Sequence, residues 1–234
     1  MTSSLWIGSK RTAITGLAAL SIGMTNPAFA APAPAWPDTY IGHVEALAVM
    51  ETLNGALLTS HSATATLEAW CADHHMAASP RISAQRVLGA DKPISAEQRG
   101  RLQVGPDEPI RYRRVRLACG DHVLSEADNW YVPSRLTPDM NRLLDSTDIP
   151  FGRVIQPLHP SRQTLAADRL WSPLPANWEM NAPQPSSVLA PPLVIPAYLF
   201  RHRALVFDDQ RRPFAEVVET YTGEILSFGR TPGQ

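Results

Sequence analysis

Catalytic signatures are what this 234-residue sequence has least of. It contains no G-x-S-x-G, no Walker glycine loop and no Rossmann glycine fingerprint, which sets aside nucleotide binding and the elbow type of serine nucleophile. An excess of charge is missing too: 21 Lys and Arg stand against 22 Asp and Glu, a formal net charge of -1. A duplex-binding surface needs a basic excess, so no nucleic-acid partner is expected. Beyond the first 30 residues no apolar run approaches the ~20 residues that cross a bilayer, so no stable membrane insertion is expected. Cysteine is scarce. Cys71 and Cys119 either form a disulfide in an oxidising compartment or stay as two buried thiols. Cys71 opens the stretch CADHH, but only Cys71 and His74 or His75 share helical spacing, so no metal site is expected there.

What is present begins with an export signature. Lys10 and Arg11 form a basic start, Thr12 to Met24 an apolar stretch, and Ala28-Phe29-Ala30 a small-residue cleavage site. The pattern predicts a signal peptide over 1–30 and a periplasmic or secreted mature chain. The Pro-Ala segment that follows is expected to be a disordered leader over 31–42. The rest, 43–230, has the length of one domain with its own core. The 22 prolines of the chain exceed the usual ~5% and point to long irregular connections. A Pro-rich insertion over 172–196 is the longest of these.

Periodicity supplies the elements. Val44, Leu47, Val49, Leu53, Leu57 and Leu58 lie at helical spacing, and Ser60 or Ser62 caps a second helix carrying Leu67 and Trp70. After Pro80 the pattern alternates. RISAQRVLG reads as a strand, IRYRRVRLACGDHVLSEADNWYVP as a hairpin turning near Gly120-Asp121, and TPDMNRLLDS as a short helix capped by Thr137. PFGRVIQPL and RQTLAADRLW read as strands. A hairpin turning around Asp209–Arg212 closes the chain. Helices followed by hairpin-linked strands imply an α+β fold, an antiparallel sheet covered by the N-terminal helices.

Alternation places two charges on apolar faces. Arg113 shares its side with Val115, Leu117 and Cys119, while Arg114 and Arg116 fall on the other. Glu219 shares its side with Ala215, Val217 and Tyr221. A charge facing a core is costly unless it meets a partner. Arg113 and Glu219 therefore line a pocket for a small acid, pair with structural partners, or lie at strand ends in water. In the return strand SEADNWYVP, Trp130 or Tyr131 is expected to pack as core.

In order and spacing, LLTSHSATATLEAWC, RYRRVRLACGDHVLSEADNWYVP, TDIPFGRVI and RHRALVFDDQRRPFAEVVETYT resemble the chorismate pyruvate-lyase family and, more distantly, UTRA ligand-sensing domains. The resemblance implies a chorismate lyase-like fold and a pocket for a small aromatic or cyclohexadiene carboxylate. Arg113, or Arg114 in an ungapped alignment, would hold the ring carboxylate. Phe151 would wall the pocket, and Glu219 would hold the hydroxyl end and assist proton movement. It implies a lyase that releases pyruvate from chorismate to leave 4-hydroxybenzoate, with no cofactor, and with Arg113 and Glu219 as its catalytic pair. The alternatives are an exported binding module of the same fold without turnover, and an interaction protein in which Arg113 and Glu219 pair with each other.

Overall fold

The structure is a computed structural model, described here for residues 1–2, 36–89, 91–181 and 191–229. The chain divides into two units, Met1–Ala31 and Pro32–Gln234. The signal-peptide segment, beyond Met1 and Thr2, and residues 31–35 of the leader lie outside the described residues. All that follows concerns the second unit.

Two helices come first, α1 (Tyr40–Thr59) and α2 (Ala63–Asp73). Each begins where a side-chain oxygen satisfies an orphan amide: Thr39 Oγ1 accepts from Gly42 N at 3.0 Å, and Ser62 Oγ from Ala65 N at 3.2 Å. Then come β1 (Ile82–Arg86), α3 (Ala96–Leu102), β2 (Arg111–Cys119), β3 (His122–Tyr131), α4 (Pro138–Ser146), α5 (Phe151–Val154), β4 (Ser161–Arg169), β5 (Tyr198–Phe207) and β6 (Pro213–Thr222). The six strands form one antiparallel sheet in the order β1-β2-β3-β6-β5-β4. The fold is α+β, as expected.

Register decides what each face carries. Val115 pairs with Ala127, and Ala127 with Glu219; Asn129 pairs with Val217, and Arg162 with Val206. Directly paired residues project to the same side, so these side chains share one face. Met50, Leu53 and Leu57 of α1 and Leu67 and Trp70 of α2 pack on one end of that face, with Val115 and Leu117. Met140 and Leu144 of α4 join Phe151, Val154 and Ile155 against Val206, Ala215 and Val217 at the other end. Between these two cores the face is left partly uncovered. The opposite face carries α3, held by Leu102 packed with Val132 and Leu205. Arg101 of α3 also clasps the fully buried Glu216 of β6, Nε to Oε2 at 2.8 Å and Nη2 to Oε1 at 2.9 Å.

Three differences from expectation have plain causes. Residues 36–42 are not a disordered leader: Trp36 is 3% exposed, and its Nε1 donates to Leu226 O at 3.0 Å. Pro37 bridges to Pro192, and α1 starts at Tyr40. An indole that finds both a buried site and an acceptor orders the segment around it. Residues 150–158 form α5 and a 3-10 turn (Gln156–Leu158) rather than a strand. Phe151, Val154 and Ile155 stand at i, i+3 and i+4, which is helical spacing. Finally, α3 was not foreseen, although Ser95 and Gln98 form a complete capping box.

Trp130 and Tyr131 are both buried, on opposite faces. Trp130 Nε1 donates to Lys92 O at 3.0 Å, and the Tyr131 ring lies 5.6 Å from Phe151. The described parts of 172–196 hold no helix or strand apart from the Pro192 bridge.

Candidate functional site

The uncovered part of the sheet is the floor of a cavity of about 630 Å³. Val115, Leu117, Ala127 and Val217 make that floor apolar. The first turn of α2 forms one wall, and Phe151, Ile155 and the residues leading to β4 form the other. The walls meet closely at Gly152, where a Cβ would lie 3.0 Å from Thr64 Oγ1. This size and mixture suit a small organic molecule with one apolar face.

Polar groups gather at the β4–β6 end. Arg162 Nη2 donates to Glu219 Oε2 at 2.5 Å, and both side chains are 9% exposed. Tyr221 donates its hydroxyl to the same Oε2 at 3.2 Å. Burial disfavours the Arg162 cation, yet the Glu219 carboxylate outweighs that effect and raises the guanidinium above its ordinary range. Tyr221 is pushed well above the usual phenol value by burial first and by Glu219 second. Arg162 Nε and Ser161 Oγ are buried without a hydrogen-bond partner among the described residues.

His202 stands beside Glu219 in the β5–β6 register. One ring nitrogen meets Asn54 Oδ1 at 2.8 Å, and the other is buried without a partner among the described residues. Burial lowers its pKa below the usual 6.5, a trend that Glu219 opposes and Arg162 reinforces. At the opposite end of the cavity Arg153 pairs with Glu68, whose Oε1 also accepts from Ile82 N at 3.0 Å. The cavity's arginines, Arg162 and Arg153, are therefore each matched by a carboxylate.

Of the candidate residues, Glu219 and Phe151 both line this cavity. Arg113 does not. It is 5% exposed and on the expected face, but its Nη2 donates to Thr147 O at 3.3 Å and Ile149 O at 3.1 Å, in the connection between α4 and α5. Arg113 lines a second cavity of about 210 Å³ instead. Alternation fixed its side of the sheet but not its distance along the strand. Arg114 lies on the other face, pairs with Glu126 at 2.9 Å, and borders that second cavity as well. Arg113 and Glu219 therefore do not share one pocket, and the alternative in which they pair with each other does not hold either, since the partner of Glu219 is Arg162. The sequence carries no flag on Arg162, because the polar run Ser161-Arg162-Gln163-Thr164 at the start of β4 has no apolar alternation for a charge to interrupt. Cys71 and Cys119 form a disulfide joining α2 to β2, so the first of the two cysteine readings holds.

No family model matches the chain. It is 51% identical over 194 residues to Uncharacterized protein y4mC of Sinorhizobium fredii (strain NBRC 101917 / NGR234), covering 82% of this chain and 81% of that protein. The chain belongs to the y4mC family. Solved structures overlap it in part. PhnF from Mycobacterium smegmatis superposes with a TM-score of 0.47 and 14% identity, over 76% of this chain and 71% of PhnF. A GntR-family transcriptional regulator from Enterococcus faecalis V583 gives a TM-score of 0.38 and 16% identity, over 65% of this chain and 100% of that one. YydK from Bacillus subtilis subsp. subtilis str. 168 gives 0.38 and 13%, over 65% of this chain, which spans 62% of YydK's length.

Proposed function

We propose that this member of the y4mC family is an exported small-ligand-binding module of chorismate lyase-like type, with the 630 Å³ cavity as its site. The observation carrying the reading is the buried Arg162–Glu219 pair at one end of an apolar floor. A buried ion pair tends to cost more than apolar packing would, so its place beside a cavity favours recognition over stability as its role. Arg162 keeps spare donors and Glu219 an acceptor oxygen, a combination that suits a ligand hydroxyl. The apolar floor suits a ring. The first turn of α2 (Ser62, Ala63 and Thr64) presents a helix N-terminus to the other end, which favours a carboxylate there.

The ligand class is thus a small hydroxylated ring acid, of which 4-hydroxybenzoate is the simplest probe. Binding without turnover is preferred over pyruvate elimination, because Arg113 lies away from Glu219 and the expected pair does not span one ligand. Calorimetry of the mature chain with 4-hydroxybenzoate tests the reading. Saturable binding weakened at least about tenfold in Glu219→Gln is expected, the size of one lost charge-assisted hydrogen bond. Heat of dilution alone, for this acid and for chorismate, would discard it. Steady release of 4-hydroxybenzoate from chorismate would restore the lyase reading.

Export rests on the basic, apolar and A-x-A segments of residues 1–30, with support from the Cys71–Cys119 bond, since disulfides persist in oxidising compartments. Fusing residues 1–40 to a phosphatase that is active only outside the cytoplasm should give activity. An inactive fusion speaks for a cytoplasmic protein.

A further inference from the structure

The second cavity is bordered by two arginines, Arg86 and Arg113, that no carboxylate among the described residues pairs with directly. It lies at the β1–β2 side of the sheet, bordered by Arg86, Arg113 and Arg114 and by Asp91 and Asp145. Two of these five are already engaged in ion pairs: Arg114 with Glu126, and Asp145 with Arg111. That leaves Arg86 and Arg113 against Asp91. Arg86 donates to the backbone oxygen of Asp145, and Arg113 to the backbone oxygens of Thr147 and Ile149. Neither guanidinium has a carboxylate within ion-pair distance among the described residues, and Arg113 Nε and Nη1 are buried with no hydrogen-bond partner. Burial, with the charge of Arg86 reinforcing it, holds Arg113 down at about 10.

A guanidinium 95% removed from water with no carboxylate paired directly to it is costly, even with Asp145 and Asp148 acting on it from farther off, and proteins normally supply a partner. Arg162, in the same sheet and similarly buried, has Glu219. Arg113 has carbonyl oxygens and a cavity. We propose that this second cavity is a binding site for a small oxyanion, held between Arg113 and Arg86 and separate from the ring-acid site. Its 210 Å³ is ample for a phosphate, a sulfate or a short carboxylate, and charged side chains border it. The planar guanidinium forks favour two-oxygen contacts. The shared chemistry is a pair of anionic oxygens; a tetrahedral dianion and a monocarboxylate are the two sources.

Thermal unfolding of the full mature chain, at constant ionic strength, distinguishes them. Potassium selenate and potassium acetate are titrated separately against potassium chloride. A saturating rise of a few degrees above the chloride baseline is expected, and the salt that saturates at lower concentration names the source. Arg113→Gln should return the curve to that baseline, and Arg86→Gln should shift saturation to higher concentration. No saturable rise with either salt overturns the proposal, as does a rise that survives both substitutions. Should Arg113→Gln fail to fold, selenate-soaked crystals of the unaltered protein decide: an anomalous peak within hydrogen-bond reach of Arg113 or Arg86 supports the site. Selenium found only elsewhere means an adventitious ion only and refutes it. Since 4-hydroxybenzoate binding is scored through Glu219→Gln, either proposal can fail while the other stands.

Discussion

Arg162 carries the heaviest electrostatic duty of any side chain at the main cavity. With its partner Glu219 similarly buried, Arg162→Ala would strand a carboxylate in a dry site. A loss of about 3–5 kcal/mol in urea-denaturation stability is expected, the range for breaking one partner of a buried pair. A loss under about 1 kcal/mol would mean water reaches Glu219 freely. His202 gives a pH signature. Its folded pKa lies below the ordinary 6.5, so the unfolded chain takes up the proton first as the medium acidifies. The stability contributed by His202 is then complete above about pH 6.5 and is lost as pH falls toward the folded value. Melting temperature followed from pH 8 to 5 should drop over that window, and His202→Gln should remove that part of the slope.

At the level of elements, the clearest dependence is on close backbone approach. Gly42 faces Pro37 so tightly that a Cβ would lie 2.1 Å from the Pro37 carbonyl oxygen. Gly42→Ala should therefore push the 36–38 strap off α1 and expose Trp36, seen as a red-shifted tryptophan emission; an unchanged spectrum would show that the strap can adjust. Much of this level was legible in the sequence. Alternation in RYRRVRLAC and FAEVVETYT gave the sides of β2 and β6, Thr137 announced α4, and of the two serines offered for α2 it is Ser62 that caps it. Three things were not legible, each for a different reason. The 150–158 stretch mixes prolines with a short apolar set that fits either period. Trp36 is ordered by a contact with Leu226, 190 residues away, which no local pattern reports. Arg113 and Glu219 each point into the covered side of the sheet, but alternation carries no information on which part of that side the helices leave open. That depends on where α2 and α5 stop.

Over the whole molecule, one covalent bond dominates. The Cys71–Cys119 disulfide encloses 48 residues, for which loop-closure entropy predicts about 4 kcal/mol of stabilisation. Replacing both cysteines by alanine, or melting under a strong reductant, should lower the transition by that order, and an unchanged transition would contradict the chain-entropy account. The bond also fastens α2, which roofs the main cavity, to β2, which floors it. These two surfaces cannot part while the sulfurs are joined. The doorway for an arriving molecule must then be on the unstapled flank, where residues 151–160 form the other wall and no covalent bond ties them to α2. Hydrogen exchange should find that flank opening more often than the first turn of α2, and filling the cavity should slow it most.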